Sequence, residues 1–411
     1  MMLLPALAEA ARPPQNGRKP VKVAATVQDY PSRNFLIHTD LSKAEANDLK
    51  QRLEAMLHMI SSYWGTPSKG VIEICVVKDL ANWPPEYQAK MEPRGIAKIQ
   101  EGAGVCIGRT ATRGRMWVGK AYVYAAAEHR GDKGVPLHES VHGYCDQAFG
   151  RCGPRWYAEG MAEMGHYWVA GVRGVNTLPH VLKYLRTCEP RKLESLIVSD
   201  DQLGGKWEDY CWWWFLCFFL DNNNNYSAQF RALGRHILSG QKTTFQEVFG
   251  AQAKEMDFEF RFALQHLEQG LRIDLLTWDW KRKFVSNLTP GQRLSAIVHA
   301  DYGWQPSSLT VKAGTTYEYR AKDTWSAGKD AKSVDADGAA NGRGRLVGVL
   351  MKDYQLSEEF ELGKSGSFTP AIDGDLYLRC RAPWAKISGN SGRMTVYLRR
   401  KPAEAKTGDG K

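Results

Sequence analysis

No Cys-x-x-Cys pair occurs among the eight cysteines, at 75, 106, 145, 152, 188, 211, 217 and 380. That spacing disfavours a thiolate zinc knuckle and a redox dithiol. No apolar run approaches the roughly 20 residues needed to cross a bilayer. The longest, CWWWFLCFFL at 211–220, reads as a buried helix. Lys and Arg outnumber Asp and Glu by 55 to 45, yet no basic run is interleaved with exposed aromatics. Nucleic acid is therefore not an expected partner, and the excess positive charge suits an anionic cell surface or wall. The glycine-rich GAGVCIG at 102–108 lacks the Lys-Ser/Thr of a phosphate loop and the flanking elements of a dinucleotide site. It reads as a turn or a substrate-side loop.

A chain of 411 residues exceeds one comfortable core and suggests two domains. Fourteen tryptophans favour large aromatic cores or grooves. The opening MMLLPALAEAA carries a small-x-small pattern, Ala6-Leu7-Ala8, but no basic start. It is either the end of a secretory signal or a flexible leader. A secreted, periplasmic or envelope-associated location is the matching expectation. Cys145 and Cys152 flank a turn and could pair in an oxidising compartment, or equally serve as small buried hydrophobes.

Four segments follow from composition: a leader and tether at 1–30, a first domain at 31–290, a second at 291–402 and a tail at 403–411. RNFLIHTD at 33–40 and VIEICVVKD at 71–79 read as strands, and 113–126 contains another. Between the first two, Ser42 and Glu45 form a capping box that starts a helix through Trp64. From 135 the signals are helical, at 136–148, 156–170, 178–187, 206–220, 226–238 and 255–268, with the asparagine run at 221–227 as a break that caps the next helix. After Pro290, short alternating runs separated by Gly, Asp and Asn indicate a β-sandwich.

The chemistry concentrates in VPLHESVHGYC at 135–145. Positions i and i+4 share a helix face, so His138 and His142 can present imidazole nitrogens to one ion, with Glu139 turned towards water. Sixteen residues separate His142 from Glu159 in WYAEGMAE, and Gly150, Gly153 and Pro154 close one helix and open the next. Antiparallel packing would bring Glu159 to the histidine pair, a His-His-Glu set with one open position. Glu163, one turn on, can accept the second ring N–H of a ligand histidine or stand as a surface carboxylate. His166 reads as a packed or surface histidine.

This combination resembles the gluzincin metallopeptidases, closest in texture to the bacterial peptidase-MA-like proteins. The resemblance implies an α+β zincin-like metallopeptidase domain holding one Zn2+ through His138, His142 and Glu159, with Glu139 as general base. It implies an edge strand beside the metal, for which 117–126 is the candidate, and an oxyanion-stabilising tyrosine or histidine. Tyr210, at the start of the aromatic helix, is the candidate there, against burial as a structural aromatic. Tyr144 and Tyr157 are read as packing residues. The expected substrate is a peptide or protein, glycosylated or envelope-associated substrates included, and endopeptidase action is favoured because no amine-anchoring motif is present.

Residues 294–400 resemble the all-β jelly roll of small galactose-binding bacterial lectins of the LecA type. In those lectins an Asn-Asp pair after a strand and asparagines before Ser-Gly hold calcium. Asn390-Ser391-Gly392 remains, but Arg379-Cys380-Arg381 stands in the place of the acidic pair, so Ca2+ is not expected. A calcium-free glycan contact and a structural appendage stay open. A glycan- or wall-binding protein with a non-catalytic scaffold is the competing class, as is a zinc hydrolase of another amide or ester. The sandwich reads as a separable accessory module, against the alternative that it covers an apolar, tryptophan-rich face of the first domain.

Overall fold

The computed structural model describes residues 27–113, 116–197, 205–286, 288–289 and 291–402. The signal-like leader, the tail at 403–411 and Pro290 lie outside the described residues. An α+β part comes first and a β part follows.

The first part is built on a five-stranded mixed sheet. Strands β1 (Gln28–Pro31), β2 (Phe35–Thr39), β3 (Ile72–Val77), β4 (Gly104–Arg113) and β5 (Met116–Ala126) lie in the order β1-β2-β3-β5-β4. The inner strands β2, β3 and β5 are parallel, and β1 and β4 run antiparallel at the two edges. The sheet thus begins at Gln28, inside the stretch assigned to the tether. A second correction concerns the edge: 117–126 belongs to the inner strand β5, and β4 is the free edge. Its opening residues come from the glycine-rich stretch read as a turn or loop.

Strand alternation sorts the side chains. Phe35, Ile37, Ile72, Ile74, Val76, Val123 and Ala125 are buried in one core with α1 (Lys43–Trp64). Helix α1 starts at the expected capping box, Ser42 with Glu45, and ends at Gly65 with φ 71°. On the other sheet face, α2 (Pro85–Gln88) and α3 (Pro93–Gln100) accompany a small core of Trp83, Met91, Ile99 and Tyr124. Next come α4 (Val135–Phe149), α5 (Arg155–His166), α6 (Pro179–Thr187) and α7 (Leu193–Leu196). Helices α8 (Trp207–Asn222), α9 (Ser227–Ser239), α10 (Phe245–Phe249) and α11 (Ala253–Gln265) complete this part. Every residue of α8 from Cys211 to Leu220 is buried, so an all-apolar helix sits at the centre. Among the described residues, no helix is long and apolar enough to cross a membrane. The asparagine run does not cap α9, whose N-cap is Tyr226 without a side-chain bond. Asn225 instead ties Glu259 to the Trp278 carbonyl.

The β part contains β6 (Arg293–His299), β7 (Gln305–Val311), β8 (Tyr317–Lys322), β9 (Trp325–Ser326) and β10 (Leu346–Lys352). It continues with β11 (Gln355–Leu356), β12 (Phe360–Glu361), β13 (Ser365–Phe368), β14 (Gly374–Cys380) and β15 (Ser391–Arg400). One sheet runs β11-β10-β14-β7 and the other β13-β8-β15-β6. Leu346, Leu350, Leu376 and Leu378 share a core with Val298, Ala321, Met394 and Val396. On alternate positions, Val347, Val349, Met351 and Tyr377 belong to the core of the α+β part. The Tyr377 ring lies 4.6 Å from Trp278, and Trp384 lies 5.2 Å from Phe262 and 4.7 Å from His266. The sandwich is therefore not the loosely attached module read from the sequence. Its apolar face completes a tryptophan-rich core.

Candidate metal centre

Helices α4 and α5 carry the motif, and the short connection through Gly150, with φ 74°, folds one back on the other. His138 Nε2 lies 3.3 Å from His142 Nε2, and Glu159 Oε2 lies 3.2 Å and 3.3 Å from these two nitrogens. Three donors from two helices thus converge on one point. A tetrahedral ion with ligands about 2.0–2.1 Å away separates its ligand atoms by about 3.3 Å. Two imidazoles and one carboxylate within these spacings fit a zinc-like ion.

Burial alone would lower the pKa of the histidines. Hydrogen bonding to Glu159 and Glu163 outweighs it for His138, and the partners Cys152 and Glu159 bring His142 up to about 10. Burial would raise Glu159, but its bonds with both histidines hold it well below the usual carboxylate range. An ion entering this cluster would have to displace protons.

Helix packing around the site depends on Gly160. A Cβ there would stand 2.5 Å from Cys217 Sγ and 2.7 Å from the Trp213 carbonyl oxygen, so α5 and α8 meet backbone to backbone beside Glu159. Gly104 plays the matching role on β4. A side chain there would sit 2.6 Å from Glu139 Cγ, so only glycine lets the edge strand run against the glutamate. Glu139 is buried, which raises its carboxyl pKa against the opposing pull of His138 and His142.

Glu163 is buried, with Oε1 3.0 Å from His138 Nδ1. Tyr210 lies on α8 with its ring 6.0 Å from that of His138. Burial, then Glu159, Glu139 and Glu163, raise its phenol above the ordinary range. Tyr144 and Tyr157 are structural: the first donates to the Thr66 carbonyl, and the second accepts from Trp64 Nε1 at 2.9 Å. A cleft of about 760 Å³ joins the histidine pair, Glu139, Glu159, Glu163 and Tyr210 and is lined also by Gly104, Val105 and Cys106 of β4 and by Trp207.

Asp132 escaped the sequence reading, and His166, read as a packed or surface histidine, is packed against it. His166 Nε2 lies 2.7 Å from Asp132 Oδ1, and its Nδ1 lies 3.4 Å from Glu163 Oε2. The spacing of His166 from Glu163, i to i+3 on one helix, was the available signal; nothing local marked Asp132. Cys106 and Cys152 place their Sγ atoms 3.8 Å and 3.6 Å from opposite oxygens of Asp146, and all eight cysteines are free thiols. Where the lectin-type calcium pair would stand, Arg379 bonds Glu359 and stacks 3.9 Å over Trp384, and Cys380 is buried in the sandwich core.

No family model and no curated protein matches the chain. Among solved structures, the N-terminal domain of EclA, a PllA-like lectin, is similar over 26% of this chain and 96% of that one, at 16% identity and a TM-score of 0.21. A score that low supports no inference about this protein.

Proposed function

We propose that the protein is a zinc-dependent endopeptidase of the gluzincin type, on a zincin-like α+β part, acting outside the cytoplasm on peptides or proteins. The convergence of His138, His142 and Glu159 supports this most, because their 3.2–3.3 Å spacings suit one tetrahedral ion. Bound there, zinc would supply a Lewis acid that polarises a carbonyl and makes water ionisable near neutral pH. Glu139 receives the proton of water on its carboxylate and hands it to the leaving nitrogen. Its burial supports that role by strengthening it as a base. Tyr210, kept protonated by burial, donates to the developing oxyanion. The substrate lies along the free edge of β4 as an added strand, which suits the placement of Gly104, Val105 and Cys106 in the cleft.

Endopeptidase action draws support from the other cleft carboxylates. Asp132 is held by His166, and Asp146 faces two thiols. Among the described residues, these leave no obvious anchor for a free amine. Protein purified without added metal should contain close to one zinc per chain, and His142→Ala should lose most of it. Glu139→Gln should keep the metal and lose about 10²–10⁴-fold in peptide hydrolysis. Full occupancy in the alanine variant, or full activity in the glutamine variant, overturns the assignment. A broad peptide library separates peptidase action from hydrolysis of another amide or ester.

A further inference from the structure

Five groups form a closed circuit behind His138. Its Nδ1 faces Glu163 Oε1 at 3.0 Å, Glu163 Oε2 faces His166 Nδ1 at 3.4 Å, and His166 Nε2 faces Asp132 Oδ1 at 2.7 Å. Asp132 Oδ1 also accepts the Gly134 N–H at 2.8 Å, and the His138 N–H donates to the Gly134 carbonyl at 3.0 Å. The path therefore leaves the first turn of α4 and returns to it. The loop is tight: a Cβ on Gly134 would stand 1.8 Å from His166 Cδ2. The His138, Glu163 and His166 side chains are only 8–10% exposed, so the contacts are shielded from water.

We infer that His166 and Asp132 are positioning residues, which hold the Glu163 carboxylate against His138 Nδ1 and thereby fix the ring orientation and tautomer that His138 offers to the ion proposed above. The inference rests on that metal reading and extends it to two residues that touch no ion. An imidazole with a carboxylate oxygen at each nitrogen can satisfy both only by donating from both, as the cation. A cation so placed ties the Glu163 and Asp132 carboxylates to one ring in a buried setting. The Glu163 oxygen accepts from His138 Nδ1, so when an ion displaces the proton between His138 Nε2 and Glu159, the proton that remains sits on Nδ1 and the Nε2 lone pair turns to the ion. The burial-opposed rise of the His166 pKa to about 9, driven by Glu163 and Asp132, agrees with the geometry.

The test is Co2+ titration of the metal-free full-length protein, followed by the visible absorption of the bound ion. Asp132→Asn and His166→Gln should each weaken affinity by about threefold to tenfold, at the lower edge of what outer partners of a metal ligand contribute. Asp132 acts only through His166, so the double variant should lose no more than His166→Gln alone. A merely structural pair would give additive losses or none. Asp132 is at the more exposed end, with 21% of its side chain accessible, so Asp132→Asn remains informative if His166→Gln fails to fold. Melting of each apo form checks folding. Unchanged affinity in a folded Asp132→Asn variant overturns the inference, as do additive losses. A second Co2+ per chain that disappears in Asp132→Asn also overturns it, because the mutually close His138, Glu163 and His166 donors would then hold an ion rather than a proton. A wild-type chain that takes up no Co2+ overturns the metal reading and this inference together. Normal wild-type binding with unaltered variants removes the inference alone.

Discussion

Replacing Gly160 with alanine tests whether the close approach of α5 and α8 holds Glu159 in place. In a solvent-exposed helix this change would stabilise by about 1 kcal/mol through helix propensity. Here the added methyl would meet the Trp213 carbonyl oxygen at 2.7 Å and Cys217 Sγ at 2.5 Å, against ordinary contacts of 3.4 Å or more. The sulfur can rotate, but the carbonyl belongs to helix backbone. The two helices must therefore separate by about 0.7 Å, the shortfall at that oxygen, and overpacking of this kind costs about 1–3 kcal/mol. The steric loss offsets the propensity gain or exceeds it, for a net destabilisation of up to about 2 kcal/mol. Residue 159 rides on the displaced turn, so Co2+ affinity should fall by about tenfold as the carboxylate moves off the histidine pair. Thermal melting of the apo protein and metal titration measure the two effects separately. An alanine variant that melts higher, with full metal affinity, would refute the reasoning.

Three further outcomes follow from the packing and the charges. A chain ending at residue 290 should aggregate or melt early, because it exposes the face that meets Val347, Val349 and Tyr377; a soluble fragment with unchanged melting would contradict this. Trp278→Ala, which removes an indole that is 1% exposed, should cost about 3–5 kcal/mol and lower the melting of both parts together. His266 is the pH-sensitive element of the same interface, since burial and then Arg379 push its pKa down to about 4. The folded chain then binds fewer protons than the unfolded one between about pH 6.5 and 4, so stability falls as pH drops through that window. The loss should be about 1–2 kcal/mol once partial solvent screening is allowed for. Melting across this range should be flatter in His266→Gln, and an identical slope would exclude His266 as the cause.

Much of the local structure was legible because its determinants are neighbours in the chain. The i, i+4 spacing of His138 and His142 places them on one helix face, and glycine and proline at 150–154 allow α5 to turn back with Glu159. The capping box at Ser42 and the alternation after residue 290 are equally local signals. The run at 211–220 announces its burial by being apolar on every side. Strand order was different. Both β4 and β5 carry strand-like residues, and which becomes the free edge depends on β5 pairing with β3, across the span from Val77 to Met116.

By itself, then, the sequence determined where the longer helices begin, though not α2, α3, α7 or α10, which residues could share one helix face, and that a β part follows an α+β part. Only the tertiary structure decided that Gly104 runs against Glu139, that Asp132 reaches His166, and that one face of the sandwich enters the first core. The physical reason is range. Periodicity and capping are written into consecutive residues, whereas edge strands, carboxylate partners and shared cores arise from surfaces that meet only after the chain has folded back on itself.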